Sequence, residues 1–189
     1  AVVKGGLYSC YTLWHLIHGE AKEKIKLYLK SIESDSLNTY FLYSDYKDYQ
    51  LHALKYLSKE AFIKHSSQVT KIFKEAQPMI RTYILKKMPD EMIGQREVSQ
   101  DLYDEFASIG INSRTQLVSK LKAASDCGPE IVSNHLSLLT KNQLKSYLDF
   151  FTDNPEKLSE SIASKLNQAA KSQNLTYGYL IQDFLKNNE

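Results

Sequence analysis

Cys10 lies in the run Gly5-Gly6-Leu7-Tyr8-Ser9-Cys10-Tyr11-Thr12-Leu13-Trp14, behind a glycine pair and a serine suited to cap a helix. With Ser9 as the cap, the thiol falls in the first helical turn, where free backbone N–H groups and the positive end of the helix dipole favour thiolate. A cysteine nucleophile also needs a base, and His52, His65 and His135 are the candidates, each in a helical setting. The second constellation is cationic. Lys64, Lys71 and Lys74 share one face at about 100° per residue, Arg81 extends the stripe across Pro78, and Lys86 and Lys87 follow. From Lys55 to Arg96 there are nine Lys plus Arg against four Asp plus Glu, a local excess suited to carboxylate or phosphate.

Other chemistries have weaker footing. His15 and His18 share a helical face, but Cys10 is off that face and the ligand count falls short of a zinc site, so no metal is expected. Gly5-Gly6 has neither a following Lys-Ser nor a preceding strand, which removes the phosphate-loop classes, and no cofactor is expected. Asp45 with Asp48, and Asp101 with Asp104 and Glu105, read as solvated helix faces. Cys127 sits in a Ser125-Asp126-Cys127-Gly128-Pro129 turn with no cation beside it, an incidental loop thiol.

A cysteine at a helix start behind a glycine-containing loop resembles the nucleophile position of papain-like cysteine proteases and related bacterial effector proteases. The resemblance covers about ten residues, and it implies a downstream His and an Asn, Asp or Glu over a strand framework. None of the three histidines stands in such a motif, and no strand pattern is evident. Burial as a small apolar residue beside Tyr11, Leu13 and Trp14 is therefore the expectation for Cys10, with a cysteine hydrolase or acyltransferase as the alternative.

The elements that must position these groups are helices. Seven Gly and four Pro in 189 residues are few, and apolar residues recur at three and four rather than two. A first helix is expected from about Tyr8 to Ile32, with a break near Gly19 and with Leu13, Leu16, Ile17, Ile25, Leu29 and Ile32 turned inward. Ser36 caps a second, to about Tyr56, where Tyr40, Tyr43, Tyr46 and Tyr49 step by three. A helix apolar nearly all round belongs at the centre, with Tyr as an amphipathic core residue; the other readings are an aromatic cleft or a self-association face. Ser58 caps a third helix to Gln77, and Pro78 opens a fourth to Met88.

Met88 to Gln95 mixes two breakers with little periodicity and marks a boundary. Beyond it, caps at Ser99, Ser113, Thr140 with Gln143, Asn154-Pro155 and Thr176 define shorter helices. Leu117 to Leu121 and Ile162 to Leu166 match at a spacing of 45, without the third unit a repeat requires. The expected fold is all-α: an N-terminal bundle of about four helices over 1–92, then an array of five or six shorter helices over 98–189, as two subdomains or one continuous domain.

Charges of 24 basic and 22 acidic residues nearly cancel, so composition does not argue for nucleic acid. Every hydrophobic stretch is interrupted before the roughly 20 residues of a membrane span. Two widely spaced cysteines suit a cytosol-like reducing compartment. The Ser-, Lys-, Tyr- and Leu-rich helical composition resembles helical domains of secreted bacterial effectors. The expected function is a non-enzymatic interaction module that presents Lys64, Lys71, Lys74, Arg81, Lys86 and Lys87 to an acidic protein surface or an anionic lipid head group.

Overall fold

The computed structural model describes residues 5–172 and 175–187, and among them the chain is all-α with no strand. The first expected helix breaks at Gly19 as anticipated, and the second and third are each split in two as well. Helix α1 (Gly6–His18) and α2 (Glu20–Ile32) meet at Gly19, where a Cβ would lie 2.3 Å from the His15 carbonyl oxygen, so only glycine closes this turn. Helix α3 (Asp35–Leu42) is capped by Ser34, not Ser36, and a turn over 43–46 separates it from α4 (Lys47–Tyr56). Ser58 caps α5 (Lys59–Lys64) as expected, but His65 ends that helix and begins α6 (Ser66–Glu75). Helix α7 (Pro78–Lys87) starts at its proline, whose missing N–H costs nothing in a first turn.

A short α8 (Asp90–Ile93) leads into α9 (Arg96–Asp104), α10 (Ile111–Ser119), α11 (Cys127–Ser133), α12 (Lys141–Asp153), α13 (Glu160–Lys171) and α14 (Gly178–Asn187). Thr140 and Gln143 form the expected capping box of α12. Ser99 and Ser113 are not caps. Both are buried inside their helices, Ser99 donating to the Ile93 carbonyl and Ser113 meeting the Thr82 hydroxyl. Pro155 opens a single 3-10 turn, and Ser159 caps α13 instead.

The arrangement is a two-layer array. Helices α6, α9, α11 and α13 begin at residues 66, 96, 127 and 160, steps of 30, 31 and 33, and each packs on the next; α7, α10, α12 and α14 form the second row in the same way. Each pair of helices is thus one unit of a short solenoid, a repeat the 45-residue match does not reveal. Polar ties recur at the same period. Asp101 accepts from Thr70 and Lys74, Gln143 donates to the Ile111 carbonyl at 2.9 Å, and Glu130 accepts from Ser161 at 2.6 Å and from Lys165. Within units, buried tyrosines close the helix pairs: Tyr103 donates to the Leu117 carbonyl and Tyr147 to the Pro129 carbonyl, each at 2.8 Å. Burial pushes both phenols far above their ordinary pKa.

One hydrophobic core runs through these units without interruption, including Met88, Met92, Ile93 and Val98 on either side of the Met88–Gln95 segment. Helices α3 to α5 cover the first unit with Leu42, Leu54, Leu57 and Phe62, while Asp35 at the start of α3 accepts from both the N–H and hydroxyl of Ser58. The α1–α2 pair is different. It has no buried residue, and the side chains expected to face inward (Leu13, Leu16, Ile17, Ile25, Leu29 and Ile32) are all exposed. Periodicity placed them on a face; no described element covers that face.

Candidate functional site

Cys10 does not stand in the first turn of a helix. Gly5 is the N-cap of α1, Ser9 lies inside the helix with its hydroxyl donating to the Gly5 carbonyl, and Cys10 is the fifth residue, beyond the free N–H groups. Its thiol is exposed and unpaired, so the expected burial is also corrected. Among the described residues no histidine hydrogen-bonds it. His52 packs against Phe41 and Tyr56, His135 stacks on Phe106, and His65 has both ring nitrogens engaged, by Thr39 at 3.4 Å and Tyr43 at 3.2 Å. His65 is thus held as the joint between α5 and α6. Cys127 is half-buried, 2.9 Å from the Ser125 hydroxyl. No cluster of three His, Cys, Asp or Glu residues suited to a metal occurs among the described residues.

The tyrosines of α3 and α4 are not core residues. Tyr40, Tyr43, Tyr46 and Tyr49 are 48–73% exposed. Tyr46, Tyr49, Phe41, His52 and Tyr56 touch in succession, a row of rings along the surface of the α3–α4 pair. Steps of three drift around a helix, which is why they read as an all-round apolar helix when the break over 43–46 is not seen.

The predicted cationic stripe divides into two groups. Lys74 is paired with Asp101, and Arg81 donates to the Lys74 carbonyl while lying over the Phe73 ring. Lys87 turns back to α4, where its Nζ donates to the carbonyls of Leu54 at 2.7 Å, Lys55 at 2.6 Å and Leu57 at 3.3 Å. Burial pushes its pKa below the ordinary lysine value. These three cations hold the fold together. Lys64, Lys71 and Lys86 are the exposed remainder.

Lys86 is the member with a shaped surrounding. It lines an open hollow of about 660 Å³ together with Lys120, Lys122, Asp90, Gln116 and Ser119. Lys120 is anchored there, donating to the Met88 carbonyl at 3.1 Å and to Asp90 at 3.2 Å. On its other side Lys86 borders a second hollow, of about 470 Å³, between α7 and α10, lined by Met79, Thr82, Tyr83 and Ile111 among others. The surface between α7 and α10 therefore has an apolar half and a cationic half, with Lys86 at the junction. Lys120 and Lys122 were missed because they lie in the next unit, more than 30 residues from Lys86, and nothing in local spacing joins them.

No protein-family model, curated protein or solved structure matches this chain. No helix among the described residues is long and apolar enough to cross a membrane.

Proposed function

We propose that the chain is a non-enzymatic interaction module that seats an acidic or phosphate-bearing segment of a partner protein between α7 and α10. The observation that carries this reading is the hollow where three ammonium groups, Lys86, Lys120 and Lys122, face a single carboxylate, Asp90, already engaged by one of them. A two-layer helical array suits the role, since stacked units present a surface whose residues come from successive repeats. Apolar residues of the partner would rest on Met79, Tyr83 and Ile111, and its carboxylates or phosphates on the lysines.

The test uses a fluorescein-labelled peptide of alternating Glu, phosphoserine and Leu, with vesicles of phosphatidylcholine and phosphatidylserine as a second arm. Lys86→Glu with Lys122→Glu should weaken peptide binding at least about tenfold, a loss that shrinks as salt rises, whereas Lys64→Glu with Lys71→Glu should change it little. Retention by the Lys86/Lys122 variant removes the groove. Binding to vesicles but not to peptide replaces the protein partner with a lipid head group.

A further inference from the structure

Helices α1 and α2 carry twelve large apolar side chains, from Leu7 to Ile32, each 45–79% exposed. Helix α1 has no Lys, Arg, Asp or Glu from Gly6 to His18, and apolar residues point around its whole circumference. Such a helix needs cover on more than one side. Helix α2 gathers Ala21, Ile25, Tyr28, Leu29 and Ile32 on one stripe, opposite Glu23, Lys26 and Lys30, with Leu27 the one large apolar residue on the polar side. It can cover one flank of α1 and no more. Two helices of thirteen residues, neither with a buried residue among those described, also fall short of what holds a helical pair together in water.

We infer that a second copy of this chain supplies the missing cover, two α1–α2 hairpins joining about a two-fold axis as a four-helix bundle with the α1 helices inside. The exposed apolar area of one hairpin is on the order of 1,000 Å², at or above the roughly 800 Å² that each partner buries in a stable interface. An isologous contact needs only one self-complementary patch, and this one is already apolar. The charges agree. On α2, Lys24 lies 3.6 Å from Glu20 and Lys26 2.8 Å from Glu23, so its outer face carries both signs, as a face left in water does. At 1.5 Å per residue, α1 is about 20 Å long, too short for a hydrocarbon core of roughly 30 Å.

Trp14, the chain's single tryptophan, stands 57% exposed on α1 and reports directly on this contact. In sedimentation velocity over about a hundredfold range of concentration, the mass should pass from one chain to two, and Trp14 emission should shift to the blue over the same range. Leu13→Glu with Ile17→Glu should abolish both changes while leaving the far-ultraviolet circular dichroism and melting of the rest intact, because both residues are exposed and neither belongs to the core. A chain that stays monomeric throughout overturns the inference, as does a monomer whose Trp14 shifts only on adding phosphatidylserine vesicles. So does a dimer that survives the α1 substitutions but falls to Tyr46→Ser with Tyr49→Ser, which would put the contact on the tyrosine row.

Discussion

Replacing Lys87 by methionine separates a fold-holding cation from a ligand-holding one. The Met side chain keeps the apolar stem that lies against Phe62, whose ring centroid is 5.8 Å from Nζ, and removes only the ammonium group. What is lost is the closure of α4, three carbonyl contacts at 2.6–3.3 Å to the last turn and the residue after it. A cation at a partly buried helix C-terminus stabilises by up to about 2 kcal/mol. Hydrogen bonds from a charged donor contribute about 1.5–3 kcal/mol, reduced here because water can reach part of the freed carbonyls. The expected loss is about 1–2 kcal/mol, or roughly 2–8 °C in melting temperature for a chain of this size. Urea unfolding followed by far-ultraviolet circular dichroism measures it, with Lys64→Met as the exposed comparison, expected within about 0.5 kcal/mol of the parent. A Lys87→Met protein as stable as the Lys64→Met protein, with anionic peptide binding lost, would refute the assignment.

Gly128→Ala should destabilise by about 1–3 kcal/mol, because the new methyl would stand 3.0 Å from the Tyr103 ring, and that ring is buried and pinned through its hydroxyl to the Leu117 carbonyl; the midpoint of urea unfolding checks this, and an unchanged midpoint contradicts it. Glu130→Gln addresses pH: the Lys165 ammonium, and then the Ser161 hydroxyl, hold the Glu130 carboxyl below its usual pKa near 4.5, so the contribution is present above that pH and is lost as pH falls through the folded-state value. The stability gap between parent and Glu130→Gln should therefore be full at neutral pH and close in acid, and a gap independent of pH would show that Glu130 is not held as an anion by Lys165.

Helical periodicity made the all-α class legible, because residues such as Leu144, Tyr147, Leu148 and Phe151 recur on one face and are buried together. It did not show the repeat. Val69, Val98, Val132 and Ile162 are each buried in α6, α9, α11 and α13, but they fall at different positions from their helix starts, so no fixed spacing links them. Nor does an apolar stripe say what covers it. Leu13, Leu16 and Ile17 look like core and are exposed, since burial depends on a second element that spacing within one helix cannot reveal. The same holds for charge: Lys64, Lys74 and Lys87 are alike in sequence, and only the fold brings Asp101 to one and the end of α4 to another.

The regular stacking also bears on how the chain comes to its structure. The ties between neighbouring units, such as Thr70 to Asp101, Gln143 to Ile111 and Lys165 to Glu130, reach back only 31 to 35 residues. Chains whose contacts are local fold fast, since little loop entropy is lost before the contacts form. Each helix pair finds its platform already built by the pair before it. Assembly can therefore proceed from the N-terminal side while synthesis continues, the growing end always offering one fresh apolar face to the next pair.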